Sequence, residues 1–342
     1  MMARKIFSLL IVLGFTLAFG IGVASSQEQF YKGKNIRIIV GFSAGGGYDT
    51  YARLIARHIG KYIPGNPTVS VENMAGAGSM ISANHIYKVA KPDGLTIGHF
   101  IGGLFLQQLL GKPGIEFDAR RFEYIGVPAQ DVFMLGLSKA SGITTAEQLM
   151  AAKSPVKLGG VSTGSGTDDL PNILKATIGL PIQLVSGYKG TADIRLAFHS
   201  GEVQGVSNSW QSFRATWPKE LESGQLVIVL QETLKPHPEV PKVPLAIDFA
   251  KTEEAKKLIR VILQVHGPTV RPFVLPPGTS KDRVQLLRKA FMEAMKDAEL
   301  LAEANKARLE INPLDGTELA RGVNEIFALD AALVARLKDI LK

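Results

Sequence analysis

Twice in this chain a short apolar strand pattern runs into a glycine-rich turn that opens directly onto a helical pattern. The first passage is Ile36-Arg37-Ile38-Ile39-Val40 followed by Gly41-Phe42-Ser43-Ala44-Gly45-Gly46-Gly47-Tyr48-Asp49-Thr50. The second runs from Val156 to Leu174 through Gly159-Gly160-Val161-Ser162-Thr163-Gly164-Ser165-Gly166-Thr167-Asp168. Glycine lets a backbone approach a ligand closely, and the first turn of a helix carries N–H groups with no intrahelical acceptor. Each turn therefore reads either as an anion cradle or as a tight strand-to-helix turn with no ligand.

The first turn is not a nucleotide fingerprint. No Lys-Ser/Thr pair ends a phosphate loop, and the first set of glycines does not fall as G-x-G-x-x-G. As an anion cradle, the first turn offers the amides of Gly45, Gly46 and Gly47, the Ser43 hydroxyl and Asp49 as a helix cap. The second offers the hydroxyls of Ser162, Thr163, Ser165 and Thr167 and the open backbone of Gly164 and Gly166. A third polar strand end, Asn73 to Ser79 with Gly78, is expected to flank the first, because ligands of open α/β sheets sit beyond the carboxyl ends of strands. Tyr188 and Lys189 follow a later strand, with Thr191 as a possible cap, and Ser207-Asn208-Ser209-Trp210 ends another and can close a cleft.

The N-terminus bounds the compartment. Arg4 and Lys5 precede an apolar run from Ile6 to Val23, and Ala24-Ser25-Ser26 supplies small residues for cleavage. Residues 1–26 read as a signal peptide, with a retained anchor as the alternative, and the expected location is the periplasm. The chain has no cysteine, which removes disulfides, thiolate metal sites and cysteine nucleophiles. Its net charge is +8, without a dense basic run or basic–aromatic interleaving, so no nucleic-acid partner is expected. The six histidines form no HExxH or close carboxylate cluster in sequence, and no metal or other cofactor is expected.

Strand and helix patterns alternate along the chain. Strands are expected at Ile36–Val40, Val69–Val71 and Leu95–Phe100, with a helix over Asp49–Tyr62 and another up to Val89. The rhythm restarts near Val132, with strands at Val132–Leu137, Val156–Val161, Ile182–Val185, Val203–Val206 and Val227–Leu230. The prolines at 236, 238, 241 and 244 mark an extended crossing or edge segment, and the C-terminal part is helical. This predicts an α/β fold of two lobes, each with a mostly parallel sheet, enclosing a cleft. Residues 27–129 and 250–342 are assigned to lobe 1 and residues 130–249 to lobe 2.

Gly160-Val161-Ser162-Thr163-Gly164 also fits the G-x-S-x-G nucleophile elbow, as does Gly41-Phe42-Ser43-Ala44-Gly45. A secreted serine hydrolase would use Ser162 with Asp248 and His266, or with His199 or His237. The same residues make sense without chemistry, as donors to a bound anion.

The run Lys34 to Asp49, then Ala52-Arg53, Val71-Glu72-Asn73-Met74-Ala75-Gly76-Ala77-Gly78-Ser79, Pro92-Asp93-Gly94, Tyr188-Lys189-Gly190 and Pro276-Pro277-Gly278-Thr279 resembles the periplasmic substrate-binding proteins of tripartite tricarboxylate transporters, the Bug family. The resemblance implies a monomeric, two-lobed, type II Venus-flytrap receptor. It would close on a small organic carboxylate and serve the membrane subunits of a secondary transporter, or a sensor kinase, without transforming the ligand. It implies a carboxylate held by backbone amides and water rather than by arginine. The first-loop role falls on Ser43, Ala44, Gly45, Gly46 and Asp49. The second-lobe role falls on Thr163, Gly164, Ser165 and Gly166, with Tyr188 near the cleft. Asn73, Gly78, Thr167 and Asn208 complete the expected set. Two departures stand out: Gly41 and Ser43-Ala44 occupy places where the family commonly has proline, and Asp168-Asp169 follow the second glycines. These acids are expected to face solvent or to repel an extra acidic group on the ligand.

Overall fold

The computed structural model describes residues 30–341; the leader expected at 1–26 lies outside them. Strand β1 (Asn35–Val40) feeds helix α1 (Gly47–Ile59), which buries Tyr51, Leu54, Ile55 and Ile59 on one side, as their spacing predicts. The helix was expected to reach Tyr62. Its last residues, 60–62, tighten into a 3₁₀ turn before Pro64-Gly65. Then come β2 (Thr68–Asn73), α2 (Met80–Lys88), β3 (Thr96–His99), α3 (Gly103–Leu109) and β4 (Glu123–Val127). The second run is β5 (Phe133–Ser138), α4 (Ala146–Met150), β6 (Val156–Gly159), α5 (Gly166–Ile178), β7 (Ile182–Val185), α6 (Thr191–Ser200), β8 (Gly205–Ser209), α7 (Trp210–Thr216), α8 (Pro218–Glu222) and β9 (Leu226–Glu232). The chain ends with α9 (Glu253–His266), β10 (Phe273–Leu275), α10 (Lys281–Ala294), α11 (Ala298–Lys306), β11 (Leu314–Asp315), α12 (Gly316–Phe327) and α13 (Ala331–Ile340).

The strands form two sheets, ordered β11-β4-β10-β3-β1-β2 and β7-β6-β8-β5-β9. The two-lobed α/β architecture is therefore as expected, but each sheet is mixed rather than mostly parallel. β1 pairs parallel with β2 and β3, and β6 pairs parallel with β7 and β8. β10 runs antiparallel to β3 and β4, and β5 antiparallel to β8 and β9. The cause is the route of the chain. Both crossings between sheets lie at the cleft, so a strand that enters a lobe there runs against the strands that end there.

The proline-rich passage is an edge segment. Gln231 N donates to Pro244 O at 2.8 Å, and Gln231 Nε2 donates to Val240 O at 3.2 Å, which lays the segment along β9. The chain returns to the first sheet only after α9, which packs against α5 of the second lobe. The two crossing segments, 128–132 and 267–272, are tied together where Asp131 N donates to Gly267 O at 3.3 Å. Among the described residues no helix is long and apolar enough to cross a membrane.

Candidate functional site

The two glycine turns are built alike. In the β1–α1 turn, Gly45 has φ +80° and the helix begins two residues later at Gly47. In the β6–α5 turn, Gly164 has φ +99° and the helix begins two residues later at Gly166. Only glycine adopts these left-handed conformations without strain. In both turns the amide of the left-handed glycine is held by an aspartate of the first helical turn. Gly45 N donates to Asp49 Oδ2 at 2.9 Å, and Gly164 N donates to Asp169 Oδ1 at 2.9 Å. No side chain caps either helix start. The amides at the two starts keep their partial positive charge, and the aspartates that shape the turns point back from them.

Both starts face one cavity between the lobes. It is lined by Gly46, Gly47 and Tyr48 from the first turn and by Ser165, Gly166 and Thr167 from the second. Thr191, first residue of α6, adds a third helix start. The space is narrow: about 40 Å³ is open to the centre of a water molecule. Its walls are largely apolar, with Phe42, Ile101, Phe133, Val161 and Val270 among them. Side chains are excluded at the two helix starts. A Cβ on Gly47 would lie 2.1 Å from Ser212 Oγ, and one on Gly166 would lie 2.2 Å from Phe133 Cε1.

The hinge supplies the charged part of the cavity. Arg271, in the second crossing, donates from Nε to Asp131 Oδ2 at 2.7 Å, and Asp131 belongs to the first crossing. Arg271 Nη2 reaches Ser209 Oγ at 3.0 Å and Ser212 Oγ at 2.9 Å in the second lobe. On the first-lobe side its guanidinium sits 4.6 Å from the Tyr48 ring centroid and 5.0 Å from that of Tyr51. Burial pushes the Asp131 carboxyl up to about 6, against the pull of the Arg271 guanidinium. The ion pair thus joins both crossings and both lobes at the back of the cleft.

Of the residues singled out from sequence, Gly46, Gly47, Ser165, Gly166, Thr167, Thr191, Asn208 and Ser209 line this cavity. The others lie around it. Ser43 spans the mouth, donating from its amide to Lys189 O at 3.2 Å and from Oγ to Asp193 Oδ2 at 2.7 Å. Ala44 and Gly45 are exposed at the rim. Asp49 is buried and also accepts from Arg53 Nε at 2.9 Å and Asn73 Nδ2 at 3.0 Å, so Asn73 braces the first turn. Gly78 abuts Ser162 across the lobes, and Thr163 O accepts from Lys112 Nζ at 2.6 Å. Tyr188 turns outward, its hydroxyl donating to Glu202 Oε1 at 2.6 Å. Trp210 donates from Nε1 to Glu239 Oε2 at 2.9 Å and does not close the cleft.

Asp168 and Asp169 neither face solvent nor line the cavity. Asp168 is 2 % exposed and accepts from Val161 N at 2.6 Å, Ser165 Oγ at 2.8 Å and Thr167 Oγ1 at 2.8 Å. Asp169 is fully buried and meets His266 Nε2 at 3.2 Å. That contact also takes His266 away from Ser162, the nucleophile of the alternative hydrolase reading. Ser162 Oγ donates to Thr163 O at 3.3 Å, and among the described residues no imidazole bonds to it. His58, Asp297 and Glu299 bring ligand atoms within 4.8 Å of one another, but Lys61 Nζ occupies Asp297 at 2.6 Å and Glu299 at 2.9 Å.

The residues that sequence reasoning missed are chiefly Asp131, Arg271 and Ser212. Arg271 did leave a trace: it is a lone cation in Thr269-Val270-Arg271-Pro272-Phe273-Val274-Leu275, which is otherwise uncharged and mostly apolar.

Two α/β lobes joined by paired crossings, with helix starts of both lobes at one cavity, define a solute-binding protein of the periplasmic class. Residues 52–338 match the tripartite tricarboxylate transporter family receptor, TctC, and the chain belongs to that family. The family resemblance read from the motifs is thereby correct. The chain is 27% identical over 330 residues, 94% of each chain, to the UPF0065 protein in the gbd 5' region of Cupriavidus necator. Its fold is similar to that of the periplasmic binding protein BugD, with a TM-score of 0.73 and 22% identity over 91% of this chain and 98% of that one. Rpa4515 of R. palustris, solved with adipate, is similar at a TM-score of 0.73 and 21% identity over 90% of this chain and 98% of that one. The family is one of periplasmic solute-binding receptors that work with membrane transporter components.

Proposed function

We propose that this chain is an exported receptor that captures a small organic carboxylate between its lobes and presents it to the membrane subunits of a tripartite tricarboxylate-type transporter. The observation that carries this reading is the convergence of the α1, α5 and α6 starts, from both lobes, on one narrow cavity. A carboxylate there accepts charge-assisted hydrogen bonds worth ~1.5–3 kcal/mol each. Each helix start adds ~0.3–1 kcal/mol. After an association cost of several kcal/mol, micromolar affinity, about −8 kcal/mol, is within reach. Gly46, Gly47, Ser165, Gly166, Thr167, Thr191 and Asn208 form the contact set.

Segments 128–132 and 267–272 act as the hinge, and the bound anion favours the closed arrangement because it touches both lobes. Closure is the signal to the transporter, and no residue transforms the ligand. Cleavage after residue 26 yields the periplasmic form, a monomer. Thermal-shift screening of that form against organic acids, matched amides and sugars tests the reading. A carboxylate at 100 times its Kd adds about 2.7 kcal/mol to stability and raises the melting temperature. Stabilisation by neutral solutes and by no acid overturns it.

A further inference from the structure

A second pocket lies between the lobes, and the carboxylate reading of the cleft leaves it unused. Gln107 of α3 and Lys112, in the turn after that helix, belong to its first-lobe wall, and Thr163 of the β6–α5 turn is its contribution from the second lobe. Leu110 and Pro113 add apolar surface, α13 supplies Lys338, and Leu341 follows at the end of that helix. About 400 Å³ is open to the centre of a water molecule, against about 40 Å³ in the cleft cavity. The two spaces share no lining residue. Between them α3 meets the β6–α5 turn, where a Cβ on Gly103 would lie 2.0 Å from Gly164 O.

Among the described residues the charged groups that line this pocket are two lysines, and no carboxylate joins them. Lys112 Nζ donates one N–H to Thr163 O at 2.6 Å and has two more. Burial pulls its ammonium below the usual lysine range, against the charges of Asp169 and Asp168, so an added anion favours its charged form. Gln107 is 2% exposed and its Nε2 has no partner, although buried donors are almost always paired. Lys338 Nζ stands at the rim, 3.6 Å from the place of a Cβ on Gly111. Apolar walls with a few placed polar groups are how small-molecule sites are built.

We propose that this pocket is a second binding site, for a monoanion with an apolar body: Lys112, Lys338 and Gln107 hold the charged head, and Leu110, Pro113 and Leu341 cover the body. Thr163 comes from one lobe and the other lining residues from the opposite one, so the site is complete only when the lobes meet. Its ligand and the cleft ligand therefore favour the same closed form and tighten each other. The site itself does not depend on the carboxylate reading of the cleft; the coupling does.

Calorimetry on the mature chain tests this with octanoate and its neutral counterpart 1-octanol, each with the cleft empty and with the best-binding short acid at saturation. One octanoate is expected per chain, bound at least about 10-fold tighter than octanol, the worth of one charged hydrogen bond. Filling the cleft is expected to tighten octanoate about 5-fold, and octanoate to tighten the short acid by the same factor. Lys112→Met is expected to remove most of the preference over octanol, and Lys338→Met, at the exposed rim, to weaken octanoate about 2- to 5-fold. Octanol binding as tightly as octanoate, or an octanoate Kd unchanged in both variants, overturns the site. Displacement of octanoate by the short acid places it in the cleft and also overturns the site, with the receptor reading intact. Binding without mutual tightening overturns the coupling. If Lys112→Met fails to fold, Lys338→Met and the wild-type ratio decide, and if no acid fills the cleft, the same two measurements still decide the site.

Discussion

Gly103→Ala separates closing from ligand contact. Gly103 opens α3 in the first lobe, and a Cβ there would lie 2.0 Å from the carbonyl oxygen of Gly164 in the second lobe. It would also lie 2.7 Å from Cε1 of the buried His266. The nearest atom is backbone and cannot rotate away, so the lobes must part. Neither Gly103 nor Gly164 lines the cavity, so the substitution leaves the ligand's own contacts in place. Overpacking of one methyl costs ~1–3 kcal/mol, and here it acts on the closed arrangement only. Replacing glycine in a helix gains up to ~1 kcal/mol, but equally in open and closed forms. The closing equilibrium therefore falls about 5- to 150-fold, and the apparent Kd for the best-binding carboxylate rises by the same factor. Calorimetry reads the Kd, and small-angle scattering at saturating ligand reads whether the lobes come together. The unliganded melting temperature is expected to hold or to rise slightly. An unchanged Kd, or a collapse of the unliganded fold, would show that this contact is not one that closure makes.

Two further substitutions probe the second lobe. Glu232 is 2% exposed on β9; the Ser207 hydroxyl donates to it, Oε1 is unpaired, and burial pushes its carboxyl up to about 8. The folded form then holds its proton more tightly than the unfolded form. Its stability contribution is full below about 4.5 and is lost as pH rises towards 8, by roughly 2–5 kcal/mol. Glu232→Gln is expected to raise the melting temperature at pH 8 and to match the wild type near pH 4.5; parallel curves across that window would contradict the assignment. Asp168→Ala removes a buried carboxylate that holds Val161 N, Ser165 Oγ, Thr167 Oγ1 and Ser186 Oγ. It is expected to cost ~2–4 kcal/mol in denaturant unfolding, with Asp168→Asn costing less, and an unchanged midpoint would refute the bracing role.

The fold and half of the site were legible because their causes are local. A strand that ends in glycines and opens a helix must leave amides without acceptors, wherever it sits in space. Gly46, Ser165, Gly166 and Thr167 were found on that ground, and Asn208 as the polar end of another strand. The alternation of patterns foretold two α/β lobes, and the joint spacing of the motifs foretold the family. Sequence could not assign the acids. Asp49, Asp168 and Asp169 look like cleft residues along the chain, yet each turns back to hold its own turn. Nor could it pair Asp131 with Arg271, which lie 140 positions apart and meet only because both crossings pass the same end of the cleft. Local backbone chemistry is carried by neighbours in the chain. Charge pairing across a hinge is decided by where distant segments are brought together, and that belongs to the tertiary structure.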